Sequence, residues 1–177
     1  MHDAAHQDDA VFEELVLRYE KSLYRFAYRF LRDENFALDA VQETFVKAWQ
    51  NMHTFKVGRT VRPWLFAICR NTALDFLKKK KDIPFSSFET EQETNILTDS
   101  LEDVAIPVLE GLQAQELVEY LLSDISLVYR DVVLLHDTEG FTFDEIATML
   151  HKPLDTVKSQ HRRALLALRE RARRAPK

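Results

Sequence analysis

Three glycines and five prolines in 177 residues leave little material for tight turns. A sheet protein with many hairpins is therefore disfavoured, and long helices are expected. Two of the prolines, Pro84 and Pro107, fall within one stretch, DIPFSSFETEQETNILTDSLEDVAIP, which is rich in Ser and Thr and has no sustained apolar period. That stretch reads as a mostly extended, flexible linker over residues 82–110, with helical sequence on either side. Apolar residues make up 46% of the chain, enough for a core, and 30% are charged.

On the N-terminal side, Phe12, Leu15, Tyr19, Leu23, Phe26 and Phe30 recur at spacings of three and four, the signature of one face of an amphipathic helix. Leu38, Val41, Phe45, Ala48, Trp49 and Met52 repeat the pattern, predicting a second helix whose apolar stripe is buried. A third helix is expected to begin at Pro63, to bury Trp64, Leu65, Ile68 and Leu77, and to run out in Lys78–Lys81. Three such helices bury one another in a domain of residues 10–81. The polar, acidic start MHDAAHQDDAVFEE is expected to be disordered and resembles neither a signal peptide nor a transit sequence.

A second domain is expected over residues 111–174. Leu117, Leu121 and Leu122 suggest one helix, and Val128, Val132, Val133 and Leu135 another, with Ser126 as its N-cap and Gly140 as its stop. Thr142-Phe143-Asp144-Glu145 fits a capping box, in which hydroxyl and carboxylate each take up a backbone amide of the opposite partner. Ile146, Ala147 and Leu150 follow, then a break at His151-Lys152-Pro153, where His151 suits a left-handed backbone. Val157, Ala164, Leu165 and Leu168 form the stripe of a last helix. A short capped helix, a turn and a longer basic helix make a helix-turn-helix.

The net charge of -5 conceals an alternation. Residues 154–177 hold eight Lys and Arg against Asp155 and Glu170, residues 78–81 are all Lys, and residues 82–110 hold eight carboxylates with no Lys, Arg or His. Screening confines exposed charges to about 8–10 Å, so local sign decides what each surface attracts. On the last helix, Lys158, Ser159, Arg162 and Arg163 lie opposite the apolar stripe, where they can reach guanine edges or phosphates of duplex DNA. In the first domain, Asp39, Gln42 and Glu43 lie off the second helix's stripe. Arg70, Asn71 and Lys78, with Phe55 in the preceding loop, combine cations, an amide and an aromatic ring, a set suited to unstacked bases.

His161 falls on the stripe and reads as a core or edge histidine. His136-Asp137 resembles the signature of metal-dependent phosphohydrolases, yet no upstream histidine in the domain supplies the remaining ligands, so a polar helix end is expected. Nucleophile elbow, phosphate-cradling glycine loop and metal-ligand cluster are not found in the sequence. Neither enzymatic activity, a cofactor nor a metal is expected. A single cysteine, Cys69, excludes an internal disulfide, and the apolar runs fall short of the roughly 20 residues of a membrane span. These features predict a cytoplasmic location.

The segments ALDAVQETFVKAW, HTF and RPWLFAICRNTALDFLKKKK resemble domain two of bacterial sigma factors of the extracytoplasmic-function (ECF) group. YRDVVLLHDTEGFTFDEIATMLHKPLDTVKSQHRRALLALRE resembles their domain four. The loop after Phe55 and the turn residues His151 and Asp155 depart from the usual pattern. The resemblance implies an all-α fold of two small helical domains, a sigma domain 2-like bundle and a sigma domain 4-like helix-turn-helix, joined by the acidic linker. It implies that Asp39, Gln42 and Glu43 dock on RNA polymerase core, which offers its beta-prime and beta subunits. It further implies that Phe55, Arg70, Asn71 and Lys78 hold minus-ten DNA, and that Lys158, Ser159, Arg162 and Arg163 read the minus-thirty-five duplex of promoter DNA. An anti-sigma factor is a further expected partner, without membrane insertion of the chain. The competing reading is a conventional helix-turn-helix regulator of duplex operators, which has no need of the Asp39–Glu43 or Asn71 segments.

Overall fold

The computed structural model describes residues 2–52, 55, 60–81, 120–123 and 125–174, without side chains for 2–8, 80 and 81. The expected linker, Leu117 and most of the loop around Phe55 lie outside them. Among the described residues every regular element is a helix, in agreement with the shortage of turn residues. The chain divides into two compact units, Met1–Ile83 and Pro84–Ala147 with His151–Lys177, the three residues Thr148–Leu150 being counted with the first.

In the first unit, α1 (His2–Leu31), α2 (Glu34–Gln50) and α3 (Val61–Lys81) pack pairwise. α1 begins at His2, well before the expected start, because Ala4, Ala5 and Gln7 are good helix formers and Asp3, Asp8 and Asp9 favour the positive end of the helix dipole. It ends at Arg32, whose φ of 58° is a left-handed stop, and Asp33 at once caps α2 by accepting from the Phe36 amide at 3.1 Å. α3 starts two residues before the expected Pro63. Proline is accommodated there because amides in a helix's first turn have no intrahelical acceptor.

Leu23, Phe26, Phe30, Leu65 and Phe66 are completely buried, and Phe26 meets the Phe66 ring edge-on at 5.5 Å. Cys69 is buried beside them. The expected α2 stripe needs correction. Its buried face is Ala37, Ala40, Val41, Thr44 and Ala48, whereas Leu38 and Trp49 are 50% and 43% exposed. Small side chains let α2 approach its neighbours closely, and Thr44 satisfies its buried hydroxyl by donating to the Ala40 carbonyl at 2.6 Å.

In the second unit, residues 120–123 are helical. α4 (Leu127–Val133) runs on into a π-helical turn (Leu134–Thr138), followed by α5 (Phe143–Leu150) and α6 (Leu154–Arg174). Ser126 caps α4 by accepting from the Tyr129 amide at 3.4 Å. Gly140 has a φ of 71° and His151 a φ of 53°, as the stop and the break require. The capping box forms: the Thr142 amide donates to Glu145 Oε2 at 2.9 Å and the Glu145 amide to Thr142 Oγ1 at 3.3 Å. Val157, Gln160, Ala164 and Leu168 bury the inner face of α6.

Candidate functional site

Three surfaces collect the residues singled out from the sequence. On α2, successive side chains turn by about 100°, so Leu38, Gln42, Val46 and Trp49 share an outward face with Asp39 at its edge. Leu38, Val46 (54% exposed) and Trp49 are large apolar groups open to solvent, and Asp39 and Gln42 are exposed beside them. Trp49 is braced from within by Phe12, with ring centroids 4.9 Å apart. Glu43 belongs to a different setting. It pairs with Lys47 at 2.8 Å, and Lys47 also donates to the buried Thr72 of α3 at 3.1 Å and lies 3.9 Å from Asp75. Asp39 and Gln42 thus belong to the open face, and Glu43 to a clasp between α2 and α3. The sequence pattern places Leu38 and Trp49 in the core, and so misses that this face combines apolar and acidic groups.

On α3, residues seven apart fall within about 20° of one another, which puts Trp64, Asn71 and Lys78 along one face. Phe55 packs on Trp64 with centroids 5.4 Å apart. Both rings line an open pocket of about 300 Å³, together with Val11, Leu15, Tyr19 and Met52. Arg70 points about 100° away along the helix, but its guanidinium reaches back to donate to Asn71 Oδ1 at 3.1 Å. Lys78 lies 3.8 Å from Asp75. Phe55, Arg70, Asn71 and Lys78 are therefore brought onto one strip, with aromatic surface at one end and cations beside an amide further along.

On α6, the buried stripe forces Lys158, Ser159, Arg162 and Arg163 to the opposite side. Lys158, Arg162 and Arg163 are exposed, while the Ser159 hydroxyl donates to the Thr156 carbonyl at 2.9 Å. Arg169 and Arg173, also exposed, extend the same face, Arg169 seven residues beyond Arg162 and Arg173 four beyond Arg169. The far end of α6 is anchored by Arg171, which donates to the Tyr120 carbonyl at 2.8 Å and to Ser123 Oγ at 2.7 Å, its guanidinium 4.4 Å from the Tyr120 ring centre. The helix thus presents its cations outward, behind a capped helix and the left-handed turn at His151.

His161 is nearly covered, with 12% of its side chain exposed, as an edge-of-core position implies. The expectation that His136-Asp137 stands without a histidine partner needs correction. The π-turn adds a residue to its helical turn and shifts the register of the residues after it, and His136, Asp137 and His161 come together as one cluster. Sequence spacing could not reveal this, because the partner lies downstream across two turns.

The model of sigma-70 region 2 matches residues 15–83, and that of sigma-70 region 4 matches residues 115–168. The ECF RNA polymerase sigma factor SigW of Bacillus subtilis is 29% identical over 94% of this chain and 91% of its own. The RNA polymerase sigma-H factor of Pseudomonas aeruginosa is 28% identical over 91% of this chain and 86% of its own. Among solved structures, the sigma factor RpoE of Bartonella quintana, in complex with the anti-sigma factor NepR, superposes with a TM-score of 0.70 at 24% identity, covering 92% of this chain and 96% of that one. CnrH in complex with the cytosolic domain of CnrY gives a TM-score of 0.71 at 23% identity, covering 99% and 96%; at these identities the likeness concerns the fold. Among the described residues no helix is long and apolar enough to cross a membrane. With both region models matched in order, and relatives of the same kind aligned along nearly the whole length, the chain belongs to the sigma-70 family of RNA polymerase sigma factors, in its ECF group.

Proposed function

We propose that this sigma factor, which acts in promoter-specific transcription initiation, divides the task among its three surfaces. The outward face of α2 docks on polymerase core, with Leu38, Val46 and Trp49 supplying apolar contact and Asp39 and Gln42 the polar register. Glu43 contributes by holding Lys47 in place and not by touching the partner. The α3 strip takes unpaired bases of the minus-ten element. Phe55 and Trp64 offer stacking surface beside the pocket, and Arg70, Asn71 and Lys78 meet base edges and phosphates. The outer face of α6, with Lys158, Ser159, Arg162 and Arg163, reads the minus-thirty-five element as duplex.

The observation that carries this reading is the open apolar face of α2. Large apolar groups left exposed together mark a docking surface, and membership of the sigma-70 family favours polymerase over a second copy of the chain as its occupant. Domain boundaries near residues 81 and 111, a cytoplasmic location and the absence of catalysis accord with the same reading. An anti-sigma factor is a further proposed partner, as NepR is for RpoE.

The test is transcription from a genomic promoter library by purified core supplemented with the chain, alongside a core pull-down. Asp39→Lys should weaken both and leave thermal unfolding unchanged. Tight, sequence-specific duplex binding without core, and no stimulation of core, would establish a conventional regulator instead.

A further inference from the structure

His136 and Asp137 sit on the π-helical turn and His161 on α6. One ring nitrogen of each histidine and one carboxylate oxygen of Asp137 lie within 4.8 Å of one another. The Nδ1 of His136 is 2.8 Å from the Phe141 carbonyl oxygen. A carbonyl only accepts, so Nδ1 carries the proton and the lone pair of the neutral ring is on Nε2. A backbone carbonyl holding one ring nitrogen in this way orients an imidazole and fixes its tautomer for metal binding through the other.

The rings are also held by packing. Phe143 stacks on His136 with centroids 4.1 Å apart and meets His161 at 5.2 Å, and the two imidazoles stand edge to face at 4.8 Å. His161 Nε2 lies 2.8 Å from Asp137 Oδ2, with the carboxylate side chain 29% exposed. The cluster is therefore preorganised on its inner side and reachable from solvent through Asp137. None of its three residues belongs to the surfaces assigned above.

We propose that His136, Asp137 and His161 bind one divalent transition-metal ion, which takes the place of the hydrogen bond between His161 and Asp137. Two imidazoles and a carboxylate favour zinc, cobalt or nickel over magnesium or calcium. Bonds of about 2.0–2.2 Å in a tetrahedral arrangement separate ligand atoms by roughly 3.4 Å. The 2.8 Å contact must open by roughly 0.6 Å and the widest separation, 4.8 Å, must close by roughly 1.4 Å, movements within reach of side-chain rotation. Water completes the coordination. On binding, the hydrogen on His161 Nε2 passes to its Nδ1, the ion bonds to nitrogen and oxygen lone pairs, and no redox change takes place. The ion would tie the π-turn to α6, so occupancy would stiffen the base of the helix that presents Arg162. This last consequence rests on the duplex-reading role given to α6, whereas metal binding does not.

The test uses the full chain carrying His2→Ala and His6→Ala, because two histidines four apart in the sequence would compete for the metal. Cobalt(II) titration read by visible absorption, and zinc titration by calorimetry, should show one ion per chain. Asp137→Asn and His136→Gln should each lower affinity at least tenfold, with circular dichroism of the metal-free variants confirming helicity. Nitrogen-15 spectra of the imidazoles in the chain with both cluster histidines intact give a readout independent of those variants. Zinc should move the signals of His136 and His161 and leave those of His53 and His151 in place. Binding that disappears with His2 and His6, affinity unchanged by Asp137→Asn, or unmoved ring signals of His136 and His161 would each show that the cluster is a structural ion pair only.

Discussion

The two units leave different things uncovered. The first exposes apolar bulk: Val11, Leu17, Leu38, Val46 and Trp49 all have at least 43% of their surface open. The second exposes charge. Its one exposed large apolar group among the described residues, Tyr120, is 38% open and lies under the Arg171 guanidinium. Contact of the first kind is short-ranged and insensitive to salt, while contact of the second acts at a distance and weakens as salt rises. On the function proposed above, one chain would hold a protein partner by contact that salt does not weaken, while its grip on DNA would follow ionic conditions.

The largest effect should come from spoiling the apolar face. Leu38→Glu together with Val46→Glu places charge where the reading puts a dry contact, and loss of central interface anchors costs about 2 kcal/mol or more. Core affinity should fall by about 30-fold or more at any salt concentration, as measured by fluorescence anisotropy of labelled chain. Stability should change by no more than about 0.5 kcal/mol, since both positions are half open and glutamate is a good helix former. A loss of affinity that vanished at low salt would mean that the first unit also binds by charge.

The next effect separates the two DNA surfaces. Arg162→Ala should cost the holoenzyme on the order of 1–3 kcal/mol on promoter duplex and reduce the salt slope by about one. Templates already open over the minus-ten region should barely notice it. Asn71→Ala should cost a similar amount on opened templates with the salt slope intact, and permanganate reactivity of unpaired thymines should drop. Equal effects of both variants on both templates would erase the distinction.

The smallest effect concerns how α5 is held. Thr142→Ala removes the hydroxyl that takes up the Glu145 amide and should lower stability by about 1 kcal/mol in urea unfolding. Core binding should be unchanged, because the first unit is untouched.

The capping box, the Ser126 cap, the Gly140 stop and the left-handed His151 are all readable in the sequence because each depends on residues within a few positions of one another. The basic face of α6 is readable for a similar reason, since one helix's period places its buried stripe and its outer face together. The α2 face is misread because apolar periodicity weighs large side chains. Here the core takes Ala37, Ala40, Thr44 and Ala48, and leaves Leu38 and Trp49 outside. The His136, Asp137 and His161 cluster is beyond reach for another reason: Asp137 and His161 meet across two separate elements, and the period of one helix does not record which residues of another it will touch.

The alanine-paved side of α2 has an effect on what can change. Ala37, Ala40 and Ala48 have no exposed surface, and adding bulk to a filled interior costs about 1–3 kcal/mol. The inner side is thus closed to enlargement, and the helix axis is gauged against α1 and α3 by methyl groups with no rotatable bond beyond Cβ. Substitutions on the outer side leave that spacing alone. The two sides of one helix can therefore drift independently, so that a new partner surface can be tried at Leu38, Gln42, Val46 or Trp49 without resetting the bundle that carries Asn71.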